Sequence, residues 1–454
     1  MLFRSRGAAA LIMLQGHVFH SFTRVDLRKD GFYIYSQFLG GQAAAVFLFL
    51  TGITFGLGVD RRSDLAPWQR VTAALKRARY LFLLAILFRL QLFTFGFPHT
   101  RVADLLQVDV LNLMGVGTAV LSLVALSPDR LGRFRWAALA GLLFAGLSPV
   151  ISALDTSGVP GFLRDYFVPG QWFSLFPWGA FLAFGVAVGN VIPSVDRAEW
   201  NRVMQWTALC GFGFVLLGLY CSSVDFSIYP HANFWVDSPA LIACKMGATL
   251  LMATLGYLWT EYFSSGRSFV ILLGQTSLAV YWVHIELVYG NWLWFFKERL
   301  TPWQSLFAAA CVIALMVLMS WAIRRYPWRE WLWCHMVSDS STAELIAFAD
   351  SIGLPSRGFQ GDHYDVPEHM RQVAIDNGAH VATTREIDDE QVVLRELRRQ
   401  RCQMCQRMRR FERGDDALEA RAQLESLERG CVADRHIFDA LHVVKPAVLG
   451  PDAG

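Results

Sequence analysis

The chain has 454 residues with a formal net charge of +3; 54% of its residues are hydrophobic and only 17% are charged. A soluble protein carries about 25% charged residues, so this composition predicts a membrane protein. The small net charge gives no reason to expect nucleic-acid binding. The eight cysteines are scattered, several of them in apolar runs, and imply no disulfide framework.

Charge is unevenly placed along the chain. It stands in short clusters before residue 330 and throughout the sequence after it. This asymmetry predicts an all-α polytopic membrane bundle, then a small soluble α/β domain and a charged helical tail. The expected boundaries are 1–326, 327–386 and 387–454. No small-residue cleavage site follows Phe22, so the first apolar run is not read as a cleaved signal.

Ten apolar runs are long enough to cross a bilayer by the rule of about 20 residues per crossing. Basic clusters follow the second, fourth and tenth runs, whereas the alternate loops 98–104, 155–171 and 222–238 hold few basic residues. By the positive-inside rule, both termini of this inner-membrane protein lie in the cytoplasm. The even number of crossings agrees with that orientation. The runs are 7–22, 38–58, 80–97, 105–126, 137–154, 172–192, 204–221, 239–260, 268–289 and 304–323.

The first run carries Gln15, His17 and His20 in its second half. Ionisable groups inside a span cost roughly 2.5–3.5 kcal/mol, so they usually face the bundle interior or a wet cavity. The two histidines are three positions apart and share one helix face. We expect this face to border a polar site; an interfacial role is the ordinary alternative.

Further polar residues are expected at the same depth in the outer half of the bundle. Asp109 and Asn112 open the fourth run, and His284 lies in the ninth. Each alone could be a helix cap or an interfacial residue. Their convergence at one depth predicts a site. Other members of this group are His99, Asp104, Gln171, Trp172, Glu286, Tyr289 and Asn291.

Arginine and lysine mark two more positions. Arg89 lies among apolar residues in the third run, where it must pair with an acid or bind a ligand anion. Asp109 is its expected partner, and a structural pair and a site role remain equally open. Lys76, Arg77 and Arg79 stand where the third run enters the bilayer. They either anchor the chain by the positive-inside rule or bind the phosphates of a cytosolic donor.

The opening segment Arg6-Gly7, then Met13 and His17, resembles membrane acyltransferases of the heparan-alpha-glucosaminide N-acetyltransferase-like family (the DUF1624 type), with the broader acyltransferase-3 group behind it. Later phrases agree with that family, and the resemblance extends over residues 4–326. These phrases are Phe47–Gly52, Gln107–Gly115, Phe176–Trp178 and Leu273–His284.

The resemblance implies transfer of an acyl group, usually acetyl, from cytosolic acetyl-CoA or another acyl-CoA to an acceptor across the membrane, often a sugar or cell-envelope molecule. It assigns the family's histidine to His17, with His20 as second choice. One departure is Phe3, at a position that is usually acidic in the family. The lipid bilayer is a further partner, and a homodimer is a further hypothesis.

Acyl transfer fits these residues chemically. A histidine can deprotonate the acceptor or take the acyl group itself. The oxyanion needs a hydrogen-bond donor, for which Asn112, Gln15 and His284 are candidates. There is no Gly-x-Ser-x-Gly motif, and we expect no metal because His17 and His20 lack a third ligand at a suitable spacing.

The C-terminal part resembles a small bacterial domain of the DUF4031 type, through Trp333-Cys334-His335 and His363-Tyr364-Asp365-Val366-Pro367. His335, His363 and Asp365 could form a polar or metal site, although structural hydrogen bonding is the ordinary alternative. A capped helix is expected at Glu344 and a short strand at 381–384.

Residues 386–430 are dense in charge and predict a solvated helix or helical hairpin. Cys402 and Cys405 form a lone Cys-x-x-Cys pair, which is weak evidence for a metal. The last dozen residues are expected to fray.

A second class of function stays open. A transporter or flippase-like protein could hold a polar pocket that binds without reacting, and inverted repeats with broken helices would be its signature. No internal repeat is visible in the sequence, so the transferase is the favoured hypothesis.

Overall fold

The computed structural model describes residues 2–29, 31–170, 173–224, 228–229, 232–262, 268–325, 333–338, 342–355, 359, 364–381 and 447–450. The chain divides into two compact units, Met1–Ala322 and Ile323–Gly454. The first unit is helical. Its helices are α1 (Leu2–Phe22), α2 (Gly31–Gly40), α3 (Gln42–Asp60), α4 (Pro67–Gly96), α5 (Val110–Leu121), α6 (Arg130–Gly146), α7 (Ser148–Ser152), α8 (Gly161–Phe167), α9 (Leu175–Val191), α10 (Trp200–Ser223), α11 (Pro239–Tyr262), α12 (Phe269–Gln275), α13 (Ser277–Tyr289) and α14 (Pro302–Arg325).

Seven helical segments in the described part of the chain are long and apolar enough to cross a membrane, and α12 with α13 would make an eighth. The prediction of ten crossings is therefore not confirmed. The run at 7–22 is helical as α1, but it is not among these seven segments, and Gln15, His17 and His20 interrupt its apolar residues. The run at 137–154 is split between α6, which has only 17 residues, and the short α7. The seven segments are Gly31–Asp60, Pro67–Gly96, Val102–Leu126, Leu175–Ser194, Trp200–Ser223, Pro239–Tyr262 and Pro302–Arg324.

The run at 268–289 is not one straight helix. It is bent by 87° between α12 and α13, with Thr276 at the break. The Thr276 hydroxyl bonds the Leu272 carbonyl in α12 and the Ser320 hydroxyl in α14, at 2.9 and 2.7 Å. The residue at the break between α12 and α13 is thus hydrogen-bonded to the neighbouring helix α14.

Helices α3 and α9 pack backbone against backbone at the centre of the bundle. A Cβ atom on Gly52 would lie 2.1 Å from the Leu182 carbonyl oxygen, and one on Gly185 would lie 2.1 Å from that of Phe49. Glycines spaced four apart recur on both helices, which allows this approach. Gly56 and Gly189 continue the same contact.

The first half of α1 packs in the same way against α12. A Cβ atom on Gly7 would lie 1.8 Å from the Val270 carbonyl oxygen, and one on Gly274 would lie 1.9 Å from that of Phe3. The glycine of the Arg6-Gly7 pair therefore has a packing role. The second half of α1 contacts α13 instead, where the Ser21 hydroxyl donates to the Val288 carbonyl at 2.8 Å.

One ion-pair network joins α3, α6 and α9. The Asp60 carboxylate accepts from Arg130 at 2.6 Å and from Arg133 at 3.0 Å, and Arg133 also donates to the side-chain oxygen of Asn190 at 2.8 Å. Arg133 is only 1% exposed, so this charge depends on its partners.

The second unit is a small α/β layer. Strands β1 (Trp333–Val337), β2 (Tyr364–Pro367), β3 (Ala379–Val381) and β4 (Ala447–Gly450) form a sheet of order β2-β1-β4-β3. β1 is antiparallel to both of its neighbours, and β3 is parallel to β4. Helices α15 (Thr342–Ser351) and α16 (Glu368–Asp376) complete it. Its core contains Met336, Leu345, Phe348, Tyr364 and Val366.

Strand β4 corrects one expectation about the tail. The last dozen residues were expected to fray, but Ala447–Gly450 pairs with β1 and β3 in the middle of the sheet. Residues 386–430, with Cys402 and Cys405, lie outside the described residues.

Candidate active site

The site begins with two histidines from α1 and α13. The Nδ1 atom of His17 lies 2.9 Å from the Nε2 atom of His284, and the two rings stack with centroids 5.1 Å apart. His284 is fully buried, whereas His17 keeps partial exposure.

The hydrogen bonds of His284 fix its tautomer. Its Nδ1 atom lies 2.7 Å from the Val280 carbonyl oxygen, which can only accept, so Nδ1 carries the proton. In the neutral ring Nε2 is then an acceptor, and the Nδ1–H of His17 donates to it. The remaining nitrogen of His17, Nε2, therefore keeps its lone pair. That atom can take a proton or an acyl group.

Tyr289 borders both histidines of α1. Its ring meets that of His17 edge-on at 5.4 Å, and its hydroxyl lies 3.1 Å from the Nδ1 atom of the exposed His20. Lys297 donates to the Tyr289 carbonyl at 2.6 Å. Burial lowers the pKa of the Lys297 ammonium, and the nearby charge of Glu286 opposes that shift. We call this end of the bundle, with His17, His20 and His284, the histidine end.

Asp109 and Asn112 are engaged in a helix cap. The Asp109 carboxylate accepts from the backbone N–H groups of Leu111 and Asn112 at 2.8 and 3.0 Å, and so caps α5. The Asn112 amide donates to the Tyr166 hydroxyl at 2.8 Å. One N–H of the Asn112 amide is thus engaged, and its side-chain oxygen accepts from the Asp109 backbone N–H at 3.2 Å.

Arg89 pairs with Asp109, as expected. Its Nε atom lies 3.2 Å from the Asp109 carboxylate without hydrogen-bond alignment, and its Nη1 atom donates to Gln107 at 2.8 Å. Asp109 is buried, and the Arg89 side chain is only 12% exposed. This arrangement corresponds to structural pairing.

Aromatic rings connect this ion pair to the histidines. The Tyr281 ring meets the His284 ring edge-on at 5.9 Å and lies 5.0 Å from the ring of Phe88, which precedes Arg89. Trp282 donates to the side-chain oxygen of Gln91. Two turns of α4 are thereby attached to α13.

A cationic cluster occupies the opposite end of α1. Arg77 donates to the Thr54 hydroxyl at 3.0 Å, and the charges of Arg6 and Arg62 act on its guanidinium. No salt bridge is found for these arginines among the described residues. We call this the arginine end. Lys76 and Arg79, from the same basic segment, point outward and are exposed.

Sequence reasoning missed two cations. Arg6 entered the sequence analysis only as part of a family phrase. Its spacing from His17 along α1 places it toward the opposite end of the bundle. Lys245 is a lone charge inside the apolar run 239–260, a signal that was visible in the sequence. It lines a cavity between α2, α9 and α11.

Several predicted residues are only partly described. Gln171, Trp172 and His363 lie outside the described residues. His335 and Asp365 are register partners across β1 and β2. Within the described ranges, no three His, Cys, Asp or Glu side chains are grouped so that they could hold a metal ion.

Two family models match parts of the chain. Residues 4–229 match the family described as heparan-alpha-glucosaminide N-acetyltransferase, catalytic, and residues 323–392 match DUF4031, a protein of unknown function. The first match ends before the phrase Leu273–His284. No curated protein matches the chain significantly. The chain is therefore a multi-pass membrane protein that is similar to heparan-alpha-glucosaminide N-acetyltransferases over residues 4–229 and to the DUF4031 domain over residues 323–392.

Proposed function

We propose that the protein transfers an acetyl group from acetyl-CoA to a sugar or cell-envelope acceptor, with His17 at the reacting atoms. The observation that carries this proposal is the hydrogen-bond chain from His17 through His284 to the Val280 carbonyl. Because of this chain, the Nε2 atom of His17 keeps its lone pair and is the basic atom of the site. An oriented imidazole of this kind can serve as general base or as acyl carrier.

As general base, His17 takes the proton from the acceptor amine or hydroxyl while that atom attacks the thioester carbonyl. The tetrahedral intermediate then collapses, the C–S bond breaks, and the thiolate of CoA leaves. His17 returns its proton to that thiolate, so that the products are the acetylated acceptor and CoA. His284 accepts the Nδ1–H throughout and holds the ring in the reactive orientation.

The arginine end suits the phosphates of the donor. Arg6, Arg62 and Arg77 bring several guanidinium groups together, and guanidinium matches phosphate geometry. Arg6 and His17 are eleven residues apart on α1, which corresponds to about 16 Å along the helix axis. The flexible pantetheine arm of CoA separates its phosphates from the thioester. The phosphates could therefore bind at the arginine end while the thioester lies at the histidine end.

The positive-inside pattern supports a cytoplasmic position for the arginine end and for both termini, in an inner membrane. Acetyl-CoA would then enter from the cytosol, and the acceptor would bind at the histidine end from the opposite side. A homodimer stays a prediction.

One observation favours the alternative class. The 87° break between α12 and α13 is a feature that transporters use to expose backbone at a midplane site. A transporter would bind its substrate at the histidine end and release it unchanged.

The deciding experiment uses purified protein in lipid nanodiscs with radiolabelled acetyl-CoA and a panel of amino sugars. We expect binding of acetyl-CoA and transfer of label that is lost in His17→Ala. Folded parent protein that neither binds the donor nor transfers label to any acceptor or to water would overturn the proposal in favour of the transporter.

A further inference from the structure

A cavity of about 440 Å³ lies between α2, α9 and α11. Its volume is within the range of about 300–1,000 Å³ that is usual for small-molecule sites. Gln37 lines it and donates to the Gly16 carbonyl at 3.0 Å, directly before His17. The cavity therefore lies at the histidine end, although it is separate from the paired histidines.

Lys245 is the cation of this cavity. Its ammonium donates to the Gly41 carbonyl at 2.8 Å and lies 5.4 Å from the centre of the Trp178 ring. No carboxylate of the described residues forms an ion pair with it. A charged residue within a span is costly and by default points to a ligand or relay. One carbonyl and one aromatic face do not neutralise an ammonium, so the cavity is suited to an anion.

The walls around this cation are apolar. Phe173, Leu241 and Ile242 lie inside, while Ile34 and Phe38 lie at the mouth and are 52% and 47% exposed. Exposed apolar side chains on spanning helices contact lipid. The mouth is therefore open to the hydrocarbon of the bilayer, and an apolar chain could extend from the cavity into it. A free hydrophilic anion would gain nothing from these walls.

We propose that this cavity binds a lipid whose head group is a phosphate, with the phosphate on Lys245 and the hydrocarbon chain leaving past Ile34 and Phe38. A lysine is a compact point charge that suits a phosphate. Gln37 and Tyr33 stand between this head group and α1. This step rests on the proposed transferase function: the acceptor is then a sugar carried on such a lipid phosphate rather than a free sugar.

The test is equilibrium binding of radiolabelled farnesyl phosphate to the full-length protein in neutral detergent, without acetyl-CoA. Farnesol tests the hydrocarbon chain alone, and inorganic phosphate as competitor tests the head group alone. The variants are Lys245→Met, Lys245→Arg and Phe38→Ala. Lys29→Met is the matched control, because it removes the same charge from an exposed loop position.

We expect the parent, Lys245→Arg and Lys29→Met to bind farnesyl phosphate with similar affinity. Lys245→Met should bind it at least tenfold more weakly. Phe38→Ala should also weaken the binding, and the protein should stay folded because the Phe38 side chain is exposed. Farnesol binding as tight as that of farnesyl phosphate, full competition by inorganic phosphate, or unchanged affinity in Lys245→Met would each overturn the proposal. Lysine-dependent lipid binding without any acetyl transfer would support the site while contradicting the proposed function.

Discussion

The Nδ1 atom of His17 lies 2.9 Å from the Nε2 atom of His284, although the two residues are 267 positions apart in the sequence. The far nitrogen of His284 is held by the Val280 carbonyl of its own helix. A backbone carbonyl thus takes the place that a carboxylate has in many catalytic triads. It orients the ring without adding a buried charge to the bilayer.

Replacing His17 by Ala should lower the rate of acetyl transfer by about 10² to 10⁴-fold, since the general base is lost. His20→Ala is the matched control: His20 is exposed and its Nδ1 atom faces the Tyr289 hydroxyl. Its rate should stay close to that of the parent. Initial rates with radiolabelled acetyl-CoA measure both. A larger loss in His20→Ala than in His17→Ala would reverse the assignment.

His284 should act as a positioning residue. His284→Leu removes the acceptor for the His17 Nδ1–H and should lower kcat by about 10- to 100-fold, as loss of an orienting partner does elsewhere. His284→Gln offers an amide oxygen and should recover part of that rate. The pH dependence of kcat separates this role from simple packing, because only a change at His17 moves its profile. Equal rates and profiles in the two variants would contradict it.

Arg77→Ala should raise KM for acetyl-CoA by about tenfold or more with a small change in kcat, since a hydrogen bond to a charged group contributes about 1.5–3 kcal/mol. Arg79→Ala removes the same charge from an exposed position two residues along α4 and serves as control. Steady-state kinetics in nanodiscs measure both constants. The same KM change in both variants would indicate a general effect of charge.

Gly52→Ala should destabilise the bundle by about 1–3 kcal/mol, because its Cβ atom would lie 2.1 Å from the Leu182 carbonyl oxygen. Gly213→Ala is the same substitution in α10, where no atom lies within 4 Å of the added Cβ. That control should leave the melting temperature unchanged or slightly raised. Thermal unfolding in detergent compares the two, and equal melting temperatures would exclude close packing as the reason for the glycine.

Asp60→Asn should cost about 3–5 kcal/mol, because it leaves the buried Arg133 without its carboxylate. Asp26→Asn breaks the exposed pair with Arg24 and should change stability very little. Denaturant unfolding measures both variants. Similar losses would mean that burial does not distinguish these ion pairs.

Much of the fold could be predicted because apolar runs mark helices directly. All ten runs contain helix, but whether each one crosses depends on properties that a count of apolar residues ignores. In α1 the polar groups belong to the candidate site, so the helix that carries the candidate chemistry is not among the seven segments that could cross by length and composition. The break at Thr276 has no proline to announce it, and the bond of its hydroxyl to Ser320 in α14 joins residues that are 44 positions apart.

The site was predicted by residue type, and its pairings could be predicted only in part. Arg89 and Asp109 were paired correctly, because a buried arginine in an apolar run requires an acid. The contact between His17 and His284 joins distant segments, and no local pattern encodes it. Asn112 was a reasonable oxyanion donor by chemistry, but its bond to Tyr166 depends on the position of the short helix α8, which the sequence does not give.

Because of the bend between α12 and α13, the two halves of α1 contact two different helices. The glycines at Gly7 and Gly274 anchor α1 to α12, while His17 and Ser21 meet α13. If α12 and α13 formed one straight helix, a change in the surface that anchors α1 would shift His284 as well. Here the two surfaces can change separately, so an engineer could reshape α13 for a new acceptor without redesigning the contact that inserts α1 into the bundle.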